Sequence, residues 1–228
     1  RAEQDARLAQ HSAELALVKS IQQGMAQHLE FSAIIQLVGD KVREVFDSGD
    51  VSIVWWDEQK QLVQAVYRYE HNAPLPLPPA RPLRPDEPMR QLLSSRQVRV
   101  ANSRKEQTAL GIAPSPGTDW AQSLAAVPIV GSKGVLGLIG LQNHEREYAF
   151  GPHEIRLLET VAAGMGLALE NALLFDEAQQ RARETREALA HQTAAAEVLQ
   201  VIGSSVADTG PVFDKILECC ERLFEAAS

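Results

Sequence analysis

An α+β fold with long helices at both ends is the class this sequence predicts, and three observations carry the prediction. Apolar residues recur at 3-4 spacing before residue 46 and again after residue 152, which is the helical period. Between these stretches lie two pairs of β-rich runs, each pair joined by a short polar or glycine-containing turn. A proline-rich stretch from His71 to Pro88 separates the pairs and holds seven of the chain's twelve prolines, so it runs as an extended surface loop rather than helix or central strand.

The elements follow in order. Leu8, His11, Leu15, Val18, Gln22, Met25 and Leu29 form a coiled-coil seam with two polar interruptions. A second helix is predicted from about Ser32 to Phe46, with Ile35, Val38, Val42 and Val45 on one face. Val51 to Trp56 is rich in β-branched and aromatic residues and reads as a strand. Leu62 to Tyr69 completes a hairpin across the polar turn Asp57–Gln61. Met89 to Ser95 reads as a short helix opened by Pro88. Val98 to Ala101 reads as a short strand, and Asn102 to Trp120 as a polar loop. Ser123–Val130 and Val135–Gln142 are strands joined by Gly131-Ser132-Lys133-Gly134. Gly151-Pro152 opens a helix that meets no breaker before Gly203.

Composition narrows the function classes. The chain has 228 residues, 45% hydrophobic and 23% charged, which is globular composition with room for a real core. Its formal charge is -8 with no basic block, a poor match to nucleic acid or to an anionic membrane face. No uninterrupted apolar stretch reaches a membrane span, and Ser123 to Leu141 is broken by Pro128, Lys133 and four glycines, so no direct membrane insertion is expected. Two adjacent cysteines, Cys219 and Cys220, make no disulfide framework, and a reducing, cytoplasmic setting is expected. The polar first residues and the amphipathic last ones are read as the cut ends of a fragment from a longer protein.

The long helix carries two stripes. Ile155, Leu158, Ala162, Met165, Leu169 and Ala172 suit packing against a sheet. Leu157, Val161, Gly164, Ala168, Asn171, Phe175, Ala178, Ala182, Thr185, Leu189, Gln192, Ala196 and Leu199 keep heptad spacing and are expected to form a homodimer seam. The chain ends also resemble each other. Leu189, Gln192, Ala196, Leu199 and Ile202 fall on Leu8, His11, Leu15, Val18 and Ile21, and Val212 to Phe224 fall on Ile34 to Phe46. The expected organisation is a coiled-coil segment over 1–13, a domain over 14–175, a connecting helix over 176–196, and the start of a second, truncated domain over 197–228.

The order of elements, together with SLAAVPIVGSKGVLGLIGLQNHEREYAFGPHEIRLLETVAAGMGLALENALLFDE, resembles a GAF domain over about Glu14 to Phe175. The residues that carry the likeness are Val127-Pro128-Ile129, Gly134-Val135-Leu136-Gly137-Leu138, Phe150, Glu154 and Ala168 to Ala172. The resemblance implies a central antiparallel sheet of five to six strands, helices on one face, and a small-molecule pocket on the other, roofed by His71–Pro88 and Asn102–Trp120. Arrays of such domains are common in bacterial sensor histidine kinases and nucleotide cyclases. A sensory or regulatory role follows from the resemblance, with the signal relayed through the helical linker. Competing expectations are a dimerisation spacer without ligand and a cyclic-nucleotide-binding regulator.

Candidate chemistry is sparse. Trp55 and Trp56 are neighbours on a strand and so point to opposite faces. With Tyr67, Tyr69 and Trp120 they are candidate walls of an apolar or aromatic site. Asn143, Phe150 and Glu154 resemble part of the NKFDE pattern of cyclic-nucleotide-binding members, but His144 stands where Lys is expected and His153 where Asp is expected. Absence of cysteine from the first module excludes a thioether-linked bilin there and argues against sulfoxide-reductase chemistry. His28, His71 and His144 lie in polar stretches and are read as solvated rather than haem ligands, and no Cys/His spacing for zinc occurs. Pro152 to Arg156 resembles a phosphoacceptor box but lacks its Thr-Pro. Arg68, Arg81, Arg84, Arg99 and Arg104 read as a scattered solvated set. No catalytic residue, metal site or cofactor is assigned, and the fragment is expected not to be an enzyme.

Overall fold

The computed structural model describes residues 19, 30–46, 48, 50–114, 117–204 and 217–218. The expected N-terminal seam from Leu8 to Leu29 and the expected second-domain positions from Val212 to Ile216 and from Cys220 to Phe224 lie outside the described residues, as does Cys219. The chain divides into two compact units, residues 1–173 and 174–228.

In the first unit, helix α1 (Phe31–Val45) buries Ile34, Ile35, Val38 and Val42, which lie on a single stripe. Strands β1 (Val51–Asp57) and β2 (Leu62–Glu70) form the expected hairpin. The proline-rich stretch is mostly exposed, yet its ends pair with β2 as two-residue strands, β3 (Ala73–Pro74) and β4 (Arg81–Pro82). Edge positions tolerate proline because its missing N–H faces away from the ladder. Helix α2 (Pro88–Ser95) begins on proline, and β5 (Arg99–Ala101) follows. Strands β6 (Ser123–Val130) and β7 (Val135–Asn143) form the second hairpin.

The sheet is antiparallel, in the order β3-β2-β1-β7-β6-β5, with β4 also on β2. It therefore exceeds the five to six strands expected, through the two short edge pieces. A second difference lies in the expected loop Asn102–Trp120, which contains helix α3 (Arg104–Ala109). Ser103 accepts from the Glu106 N–H, and Glu106 accepts from the Asn102 N–H. This is close to a capping box, which satisfies donors that a short helix leaves unpaired.

Helix α4 runs unbroken from Pro152 to Ser204. In the first unit, Leu158, Ala162, Met165 and Leu169 pack into the core between the sheet and α1, as the first stripe predicts. The proposed seam fares differently there. Val161 is 0% exposed and Ala168 3% exposed, both inside the same core, and Leu157 packs against it. Val161 and Ala168 are thus enclosed by the chain's own core and are not available to a dimer seam, whereas Leu157 is half-buried. The sheet-facing surface of α4 is wider than a single heptad stripe, and both stripes drawn on the sequence fall on it in this stretch. Gly164 is half-buried and Asn171 exposed. In the second unit, Phe175, Ala178, Ala182 and Leu189 are exposed.

Against expectation, the span Pro152–Gln200 is long and apolar enough to cross a membrane. Its apolar residues up to Leu169 are the ones that fill the first unit's core, and a core helix gives the same signal. Two glycines set close approaches. A side chain at Gly39 would meet the Tyr67 ring at 2.5 Å, and one at Gly166 would meet the Val130 carbonyl oxygen.

Candidate functional site

The face of the sheet away from α1 and α4 is the one the proline-rich segment crosses. Trp56 is 9% exposed there and packs with Val63, Leu83, Leu92, Leu93, Ala126, Val135 and Leu138. The overlying segment is fixed by ion pairs. Arg81 donates two bonds of 2.7 Å to Glu87, and Arg84 donates through its backbone N–H and its Nε. Hydrogen bonding from Arg81 holds the Glu87 carboxyl down to about 2. Arg90 donates to the Leu83 carbonyl at 2.7 Å. Leu83 is thereby seated beside Trp56, where the resemblance implied a pocket. The protein's own side chains occupy this space.

The six candidate ligand residues do not converge. Trp55 points to the helix face and meets Phe31 edge-on at 4.7 Å. It lines an open cleft of about 350 Å³ with Phe31, Leu62, Gln64, Val66 and Leu173. Tyr67 and Tyr69 lie on the same helix face, stacked at 5.0 Å. The Tyr67 hydroxyl donates to Asp40 at 2.7 Å, and Arg43 sits 3.8 Å over the Tyr69 ring. Burial and that bond to a carboxylate push the Tyr67 phenol far above its ordinary range. These tyrosines anchor α1. A bulge explains the split from Trp56. Ile53 pairs with Tyr67 but Val54 with Ala65, so Val66 is the extra residue and the side-chain alternation shifts by one. Val63 therefore joins Trp56 while Tyr67 and Tyr69 face the helices. Trp120 is half-buried, with Arg104 of α3 at 5.5 Å over its ring.

Asn143, Phe150 and Glu154 do come together, around a cleft of about 260 Å³ with Phe46, His153 and Leu157. Their polar atoms serve the chain. Asn143 accepts from the N–H groups of Glu145 and Arg146, forming an Asx turn, and Glu154 accepts from the Gly151 N–H at α4's start.

A further cluster was not visible in the sequence. The start of β1 and the ends of β2 and β7 meet at one end of the sheet, since β1 lies antiparallel between the other two. This brings Asp50, Glu70, His71 and His144 together, with Asp119 from the loop before β6. His144 is not solvated as expected: its side chain is 10% exposed, 3.7 Å from Glu70 and 3.9 Å from Asp50. Its ring lies 4.6 Å from that of His71. His71 does reach solvent, with 54% of its side chain exposed, and its Nε2 is 3.3 Å from Asp119. The bond to Asp119, with the charges of Asp50 and Glu70, raises the His71 imidazole above its usual range. No sequence spacing signals this set, because His71 and His144 are far apart in the chain and only strand pairing unites them.

The architecture has counterparts among solved structures. One is a methyl-accepting chemotaxis protein fragment, residues 122 to 287, at TM-score 0.58 and 15% identity over 70% of this chain and 98% of that one. Another is the GAF domain of a phosphoenolpyruvate-protein phosphotransferase from Coxiella burnetii, at TM-score 0.55 and 13% identity over 73% and 98%. A third is the phycoerythrobilin-bound GAF domain of a cyanobacterial phytochrome, at TM-score 0.54 and 17% identity over 72% and 97%. These identities speak for the fold alone. No curated protein matches the chain. The GAF domain family model matches residues 28–170, a span that begins just ahead of α1 and ends where α4 leaves the core. On that match the chain belongs to the GAF domain family, whose members are sensory and regulatory modules of signalling proteins.

Proposed function

We propose that this chain is a regulatory module of a longer cytoplasmic signalling protein of the sensor histidine kinase type, and that it works as a homodimer. In this reading, α4 relays the state of the domain to a second, similar domain that begins near residue 197, and the fragment itself performs no catalytic step. The observation that carries the reading is the make-up of α4. Within the first unit its side chains are built into the core up to Leu169. Within the second, Phe175, Leu189 and Leu199 are exposed apolar residues on the same unbroken helix. A helix rooted in a sheet and apolar beyond it suits pairing with a second copy. The exposed seam positions Asn171, Thr185 and Gln192 are polar, so two arrangements of the pair would differ little in free energy. Replacing these three with leucine is expected to lower the dimer dissociation constant in sedimentation equilibrium. An unchanged constant counts against the relay.

A second reading, a dimerising spacer without a small-molecule ligand, is favoured by the packing of Trp56 and Leu83 on the loop-side face. Native mass spectrometry separates the two, since a retained small molecule contradicts the spacer.

A further inference from the structure

We propose that Glu70, His71 and His144 bind a first-row divalent transition-metal ion of the zinc type, with a carboxylate oxygen of Asp50 or Asp119 as the fourth ligand. The site is independent of the relay described above. Three observations converge on it.

The first is the donor set. One ligand atom from each of Glu70, His71 and His144 lies within 4.8 Å of the other two. A tetrahedral ion with bonds of about 2.0 to 2.1 Å places its ligands roughly 3.3 Å apart. The His144–Glu70 separation of 3.7 Å is already close to that value. The remaining contraction falls to His71, whose ring is half exposed and would exchange its contact with Asp119 for the ion. Two imidazoles with carboxylates suit zinc, cobalt or nickel better than calcium or magnesium, which prefer oxygen alone.

The second is the state of His144. Its Nε2 is buried and has no hydrogen-bond partner, although its side chain is nine-tenths buried. Buried polar atoms are nearly always satisfied, so an orphaned one aimed at two carboxylates calls for a ligand. At 3.7 and 3.9 Å those carboxylates are beyond hydrogen-bond reach.

The third is charge and support. Asp50, Glu70 and Asp119 converge on two imidazoles, and a bound cation offsets three carboxylates at once. Two of the carboxylates are already oriented by backbone donors: the His71 N–H bonds to Asp50 at 2.6 Å, and the Asp119 N–H to Glu70 at 3.1 Å. His71 and Asn72 both have positive φ, 51° and 62°. With Glu70 paired to Ala73 they form a turn of the I′ kind, which holds the His71 side chain beside the strand ends.

The test uses the whole chain with Cys219→Ser and Cys220→Ser, so that the thiols take no metal. After treatment with chelator, zinc chloride is titrated by calorimetry and cobalt(II) by visible absorption. The expected result is one ion per chain, a rise in melting temperature with zinc, and tetrahedral cobalt bands. His71→Ala is expected to weaken binding at least 10-fold while its far-ultraviolet circular dichroism in chelator matches the parent's. His144→Gln is expected to weaken binding to a similar degree. Absence of heat, of a melting shift and of cobalt bands in the parent overturns the proposal and leaves an ion-pair cluster. Equal binding in the parent and in His71→Ala overturns it as well, because the metal then sits elsewhere.

Discussion

Glu170 on α4 holds the turn between β6 and β7 through a single residue, Ser132. Its carboxylate accepts from the Ser132 hydroxyl and, at 3.1 and 3.2 Å, from the Ser132 N–H. Those bonds, aided by the charge of Lys133, hold the Glu170 carboxyl below its ordinary range. The clasp sits in the last turn that α4 shares with the core, next to Gly166, whose missing side chain admits the Val130 carbonyl. Position and bonding together fix where the helix leaves the sheet.

Glu170→Gln removes the charge that favours this clasp. The depressed carboxyl makes the sign plain: the contribution is present above the usual carboxylate range and is lost as pH falls through the folded value. Hydrogen exchange at the Ser132 amide is expected to quicken in the variant at neutral pH. In the parent, protection of that amide, taken relative to the intrinsic exchange rate at each pH, is expected to fall only on acidification. Equal protection in both proteins contradicts the clasp.

Tyr67 joins β2 to α1 through Asp40, with Gly39 making room for the ring. Tyr67→Phe is expected to cost about 1.5–3 kcal/mol in urea unfolding, the usual net worth of a bond to a charged acceptor. In the parent, ultraviolet titration is expected to show a phenol that ionises only well above the ordinary tyrosine range. That lagging step disappears in the variant.

Trp56 fills the loop-side face. Trp56→Ala is expected to destabilise the domain by about 3–5 kcal/mol, through lost burial and the cavity left behind. Rescue of the melting temperature by a small aromatic such as indole would show that the cavity left by the side chain stays open and apolar. A loss below about 0.5 kcal/mol, within the range of ordinary surface changes, would mean that the face is loosely packed.

Arg81 and Glu87 lock the segment that carries Leu83. Because the Glu87 carboxyl is held down to about 2 in the folded chain, from an ordinary value of 4.5, its contribution is complete above pH 4.5 and fades towards pH 2. Glu87→Gln is expected to lower stability at neutral pH and to flatten this part of the acid limb. A variant whose acid limb matches the parent's contradicts the lock.

Much of the sheet was legible because strands bury alternate residues and turns demand particular residues. Val51 to Trp56 and Ser123 to Gln142 announce themselves in this way. Helix α3 has a start signal in Ser103-x-x-Glu106, but its six residues carry no periodic stripe, so the sequence there reads as loop. The site was much less legible. One extra residue at Val66 reverses the facing of Tyr67 and Tyr69 relative to Val63, and a bulge leaves no mark in composition. The seam erred where α4 packs on the sheet, since Val161 and Ala168 suit a heptad and a core equally well. His71 and His144 are neighbours only through the pairing of β1 with β2 and β7, a long-range fact that local spacing does not contain.

Disulfide trapping tests the central claim, that α4 pairs with a second copy beyond the domain. In a Cys219→Ser, Cys220→Ser background, Ala182→Cys lies on the expected seam and Arg183→Cys lies off it. Mild oxidation is expected to give a covalent dimer rapidly at position 182 and only slowly at position 183. Equal rates at the two positions, or a monomer at both, would contradict the account.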